Sequence, residues 1–216
     1  MIVTRQKTPE QILKMLDGKK KIFVVGCGDC ATTCKTGGEE EVCQMADFLT
    51  QRGKEITGCV VPEDTCISAK TKSALAKFSG QLKASDAVLV LACGSGVQCI
   101  KENDRTHCEI LPGCDSLFAA LIDKDNVLKE VCSACGACVL DLTEGVCPVT
   151  RCSKGLLNGP CGGQDKGKCE ADKTKDCAWI LIYNRLKEKG RVENLKKTLP
   201  PKDASRSKKP GIVAKK

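Results

Sequence analysis

Short apolar runs alternate with amphipathic stretches through the first half of the chain. Ile22–Val25 and Asp86–Ala92 (DAVLVLA) are apolar at nearly every position, as in strands buried on both faces. Between them, Glu39–Arg52 puts Val42, Met45, Ala46 and Leu49 on one helical face and stops at Gly53. Glu55–Val61 reads as a strand ending at Pro62, and Ser68–Ser79, with Ala74, Leu75 and Phe78, as a helix followed by Gly80. A further strand is expected at Cys108–Leu111 and a helix around Ser116–Ile122. Thr8-Pro9-Glu10-Gln11 opens a helix, with Thr8 as cap, Pro9 at the first helical position and Gln11 closing a capping box; Gly18 ends it. Strands alternating with helices predict an α/β domain with a small open parallel sheet over residues 1–125.

The periodic pattern then stops. Residues 126–199 are expected to form a cysteine-rich, loop-dominated metal-cluster module with a terminal helix. That helix begins at Ala178-Trp179-Ile180-Leu181-Ile182-Tyr183, with Trp179 and Tyr183 at i, i+4 on one face. Residues 200–216 have the composition of a basic, disordered tail.

Charge changes this picture little. Of the net +8, the segment Arg185–Lys216 supplies twelve Lys or Arg against Glu188, Glu193 and Asp203, which leaves residues 1–184 close to neutral. No aromatic residues interleave these charges, so a solubilising or docking tail is expected and a nucleic-acid partner is not. MIVTRQKTPEQILKML lacks the pattern of a signal peptide, and no apolar run reaches the length of a membrane span. A cytoplasmic protein is expected.

Cysteine changes the picture most. Eighteen cysteines in 216 residues is about 8%. In a reducing compartment thiols at that density serve metals or redox chemistry. Eight fall between Cys132 and Cys177: Cys132, Cys135, Cys138, Cys147, Cys152, Cys161, Cys169 and Cys177. Cys132-x2-Cys135-x2-Cys138 lets one loop wrap a metal centre, and Cys147-Pro148 supplies a thiol beside proline, as bacterial ferredoxin runs do. Zinc sites favour separated C-x2-C pairs and often histidine, and His107 is the only histidine here. One to three [4Fe–4S] clusters are expected, with zinc as the alternative at one site.

In the first half, Cys27, Cys30 and Cys34 follow the first predicted strand, Cys66 the second, Cys93 and Cys99 the third, and Cys114 the fourth. Ligands of open α/β sheets bind outside the carboxyl ends of strands, so Cys27, Cys30, Cys93 and Cys99 are candidate cofactor-binding residues. Two other readings stay open. Gly26-x-Gly28-x-x-Ala31 formally matches a dinucleotide fingerprint, and Cys27-x2-Cys30 a dithiol redox motif. Cys43, Cys59 and Cys108 read as packing thiols, and His107 receives no role. No acid, base or nucleophile constellation is visible, so no catalytic residue is assigned.

The segment CSACGACVLDLTEGVCPVTRCSKGLLNGPCGG followed by DCAWILIYNRLKEKG resembles the cysteine-rich C-terminal domain family associated with methylenetetrahydrofolate reductase. With IFVVGCGDCATTC and VLVLACGSGVQC, the chain over residues 8–195 resembles the small subunit of the two-subunit, acetogen-type reductase. The resemblance implies an iron–sulfur electron-transfer subunit, with Cys132, Cys135, Cys138, Cys147, Cys152 and Cys161 as ligands. It further implies a partner subunit, a flavin-bearing barrel acting on methylenetetrahydrofolate, and an electron donor such as ferredoxin or a larger redox complex. The alternatives are a zinc-stabilised structural adaptor of the same complex or a dithiol redox protein.

Overall fold

The structure, a computed structural model, describes residues 1–106, 108–207 and 210–211 of the chain. His107 and part of the basic tail lie outside the described residues. The chain divides into two compact units, 1–118 and 119–216.

The first unit opens with β1 (Ile2–Gln6) and α1 (Pro9–Met15). The capping box of α1 forms as expected: Gln11 N donates to Thr8 Oγ1 at 3.3 Å, and Thr8 N donates to Gln11 Oε1 at 2.9 Å. Then follow β2 (Lys21–Val25), α2 (Cys30–Thr33), α3 (Glu39–Thr50) and β3 (Glu55–Val60). They are succeeded by α4 (Ser68–Ala76), α5 (Ser79–Lys83), β4 (Ala87–Val90), α6 (Gly94–Asn103) and β5 (Glu109–Pro112). The strands β3-β2-β4-β5 form a parallel sheet in that order, with Ile22 paired to Ala87 and Val25 to Val90 at its centre.

Alternation along the central strands sorts their side chains onto two faces. Ile22 and Val24 of β2 and Ala87 and Leu89 of β4 pack with Ile12, Leu16, Val42, Met45 and Leu49 of the α1–α3 side. Phe23, Val25, Val88 and Val90 pack with Leu75, Leu82 and Ile100 of α4, α5 and α6. Helices cover both faces, which is why these strands read as unbroken apolar runs.

β6 (Cys114–Ile122) starts in the first unit and ends in the second. It corrects the expected helix at Ser116–Ile122. SLFAALI is too uniformly apolar to carry a period of its own, so the turn after it decides. Asp123 Oδ1 accepts from Asp125 N at 3.0 Å and Val127 N at 2.9 Å, and Asn126 takes φ +62°. The chain thereby reverses into β7 (Leu128–Glu130), antiparallel to β6. β1, which the hydrophobic pattern does not predict, is the other neighbour of β6.

Past β7 the second unit has little regular structure: α7 (Pro148–Arg151), α8 (Ala178–Glu188) and 3-10 turns at Val192–Lys196 and Ala204–Ser207. Its core is Val146 with Ala178, Trp179, Ile182 and Leu186, a stripe at helical spacing along α8. Trp179 is buried, whereas Tyr183 falls off the stripe and is exposed, so the pair does not share one buried face.

Leu89 is fully buried in the central strand β4. Leu89→Ala should lower unfolding stability by about 2–5 kcal/mol in chemical denaturation. Leu121→Ala, on a side chain 44% exposed, should change it by less than about 0.5 kcal/mol.

Candidate metal centres

The strand order of the first unit reverses between β2 and β4, the switch point where open α/β sheets bind ligands. Cys27 follows β2 there and Cys93 follows β4; both are buried. The loop after β2 continues the sheet hydrogen bonding, with Gly26 N on Val60 O and Gly28 N on Pro62 O, each at 2.8 Å. It then doubles back so that Cys27 N donates to Gly37 O at 2.8 Å. A Cβ at Gly37 would stand 1.8 Å from Leu91 O, so only glycine lets this loop close on the end of β4. β1 lies across the same loop. Thr4 and Thr36 hydroxyls bond at 2.5 Å, and Ile2 N donates to Cys30 Sγ at 3.4 Å.

The structure places the four predicted residues of this unit unequally. Cys30 follows Cys27 directly, as the first residue of α2, with its thiol 3.2 Å from Asp29 Oδ2. Burial first, then Asp29 and the nearby Cys93, push the Cys30 thiol up to about 11. Cys99 does not join Cys93. A helix begins at Gly94, and Cys99, six residues after Cys93, lies about 9 Å further along it and on a different side. Its Sγ lies 3.9 Å from Thr71 Oγ1 and 3.7 Å from Asn103 Nδ2, in buried surroundings. Cys66, in the loop after β3, lies near Cys93 and Cys27: burial, then these two thiols, push its own thiol up. Its position after the neighbouring strand β3 was the signal for it.

The remaining thiols of the unit fall elsewhere. Cys108 Sγ donates to Leu82 O at 3.0 Å and Ser85 O at 3.2 Å, the packing role expected of it. Cys114 lies 3.5 Å from Thr36 O, and burial drives its thiol up to about 12. The dinucleotide reading finds no support in the loop: a Cβ at Gly28 would meet Glu63 Cα at 3.2 Å, so its backbone is already closed upon.

In the second unit the thiols sit on loops pinned by α8 and the residues after it. Cys177 caps α8, Cys147 caps α7 and Cys152 ends α7. Trp179 Nε1 donates to Leu156 O at 3.0 Å, Arg185 Nη1 to Glu144 O at 3.1 Å, and Asn194 Nδ2 to Leu142 O at 3.3 Å. Cys169 Sγ is 3.6 Å from Ser153 Oγ, beside Cys152, and Cys177 N donates to Gly167 O at 2.7 Å. Cys169 thus lies against the residue after Cys152, and the Cys177 backbone against the loop that leads to Cys169. The Ser153 hydroxyl, then backbone N–H groups at Ala171 and Asp172, hold the Cys169 thiol below the usual range.

The Cys132–Cys138 loop turns through Ala134 (φ +52°) and Gly136 (φ +74°), and Ala134 N donates to Cys132 Sγ at 3.4 Å. Residues 199–206, expected in part as disordered tail, lie on the module. Asn158 exchanges two 2.8 Å hydrogen bonds with the Leu199 backbone. Lys202 Nζ reaches Cys135 Sγ at 3.3 Å and also donates to Ala137 O. A Cβ at Gly136 would come within 2.6 Å of Arg206 O. Backbone hydrogen bonding at Ala137 and the Lys202 ammonium hold the Cys135 thiol below its usual value. Cys161 is exposed on a separate loop.

Residues 111–205 match the family described as methylene-tetrahydrofolate reductase C terminal. Over this stretch the chain is similar to that family. Neither curated proteins nor solved structures provide a match. The matched stretch holds all eight thiols from Cys132 to Cys177, and also Lys202; Cys27 to Cys99 lie outside it. Among the described residues, no three His, Cys, Asp or Glu side chains are arranged to hold a metal ion as they stand, and no helix is long and apolar enough to cross a membrane. The donor set nevertheless fits a soft metal: all the candidates are thiols, Cys135 and Cys169 are held below the usual thiol range, and the loops bend through positive φ.

Lys202→Gln removes the cation beside Cys135. In metal-free protein the alkylation profile of Cys135, followed by peptide-resolved mass spectrometry, should shift to higher pH. Cys169, whose thiolate is favoured by Ser153, should keep its profile.

Proposed function

We propose that the C-terminal domain holds iron–sulfur clusters and that the chain is the electron-transfer subunit of a methylenetetrahydrofolate reductase complex in the cytoplasm. The observation that carries this is the Cys132–Cys138 loop. Three thiols at successive C-x2-C spacing lie on one positive-φ turn, beside the Lys202 cation, within the stretch similar to the reductase family. Cys147 beside Pro148 is the remote thiol for this loop. Cys152, Cys169 and Cys177, with Cys161 on its own loop, form the second set. When bound, a cluster supplies reversible one-electron transfer. The chain's own contribution is to anchor the thiols on α8, to set positive charge beside Cys135, and to leave Cys132 and Cys138 at the surface where a redox partner can approach.

Chemistry on the folate is assigned to a flavin-bearing barrel subunit, a fold distinct from both units of this chain. Electrons come from a donor protein such as ferredoxin or a larger redox complex. Zinc at one of the two sets would be structural.

The complex with the barrel subunit tests this reading. Cys132→Ser/Cys135→Ser/Cys138→Ser should still assemble and still support folate reduction when a small artificial donor reduces the flavin. Turnover driven by the donor protein should fall by at least about tenfold. Equal loss in both assays with intact assembly, or no loss in either, would contradict a relay. The isolated, flavin-free chain should show no folate turnover with any acceptor.

A further inference from the structure

We infer that Cys27, Cys30, Cys66 and Cys93 form a four-thiolate metal site at the switch point of the parallel sheet, with Cys99 outside it. The site belongs to the first unit alone and stands whether or not the C-terminal domain carries a relay.

Backbone contacts bring these residues together. Gly28, next to Cys27, packs so closely on the loop after β3 that an added Cβ would lie 3.2 Å from Glu63 Cα. Thr65, next to Cys66, packs on the first turn of α6, where a Cβ at Gly96 would stand 2.4 Å from Thr65 Oγ1 and 3.1 Å from Ala92 Cβ. Cys93 caps that same turn and spends no side-chain hydrogen bond on it. Three loops, after β2, β3 and β4, are thus locked edge to edge, each carrying a thiol beside the contact. Cys27 and Cys93 are buried and make the floor; Cys30 is half-buried and Cys66 exposed, at the mouth.

A second observation points to a missing group. Thr65 Oγ1 is the one fully buried side-chain nitrogen or oxygen, among the described residues, that has no hydrogen-bond partner. An unsatisfied hydroxyl costs about 1–3 kcal/mol, which a thiolate or sulfide accepting its hydrogen bond would recover. The thiol environment agrees. Cys93 is near enough to act electrostatically on both Cys30 and Cys66, and Cys27 on Cys66. On binding a soft cation, each thiol releases its proton to solvent. Cys30 then exchanges its contact with the Asp29 carboxylate for the metal.

Four thiolates suit either a [4Fe–4S] cluster or a zinc ion. The test is elemental analysis of the anaerobically purified full-length chain for iron, acid-labile sulfide and zinc, comparing wild type with Cys66→Ser and Cys99→Ser. Cys66→Ser should lose one centre, read as one cluster's iron and sulfide or as one zinc, and the element lost identifies the occupant. Cys99→Ser should retain the wild-type content. Far-UV circular dichroism should show the sheet domain intact in both, since Cys66 is exposed in a loop and the core lies on the sheet faces. A parallel Cys132→Ser/Cys135→Ser variant removes only metal held by the C-terminal domain, so failure there and failure here are separable. Full metal content in Cys66→Ser, or a loss in Cys99→Ser equal to that in Cys66→Ser, would overturn the assignment.

Discussion

Among the described residues, the second unit buries five apolar side chains, four of them on α8. Burying a large apolar side chain contributes about 1.5–3 kcal/mol, while ordering each residue of a loop costs about 1–2 kcal/mol. Loops running from Val131 to Cys177 cannot be held by so small a core. What holds them here are hydrogen bonds radiating from α8 and the residues after it: Trp179 to Leu156, Arg185 to Glu144, Asn194 to Leu142. A metal centre would add the missing closure, because its binding free energy becomes folding free energy when the ligands come from separate loops. On this account the cysteines are as much the core of the second unit as its apolar residues.

The first unit faces the opposite balance. Its sheet is covered on both faces, and Ile22, Phe23, Val24 and Val25 are all fully buried. It does not need thiols to fold. That leaves the strand ends free to carry chemistry, and the switch point between β2 and β4 is where Cys27 and Cys93 are found. Metal in the two units would therefore have different consequences for folding: dispensable in the sheet domain, integral in the C-terminal domain.

Much of this was legible in the residues. The buried strands announced themselves because both faces are covered, and the capping box at Thr8 and the stripe along α8 follow local rules that tertiary contacts did not override. The failures have physical causes. SLFAALI carries no period, so its strand is decided by the Asp123–Asn126 turn. The pattern of apolar positions gives no sign of α6, because Gly94 and Gly96 interrupt it, although Gly96 is there to admit Thr65. That helix carries Cys99 away from Cys93. The composition of residues 200–207 suggests disorder, yet Lys202 and Arg206 lie on the cysteine loop through contacts with Cys135 and Gly136 that no local pattern encodes.

The central claim is that the thiols between Cys132 and Cys177 hold iron–sulfur clusters. Iron, acid-labile sulfide and zinc per chain, measured after strictly anaerobic purification, test it most directly. The account predicts iron and sulfide in equal amounts, at one cluster per chain or more, with loss of structure in the C-terminal domain when the iron is removed. Stoichiometric zinc with neither iron nor sulfide would contradict it.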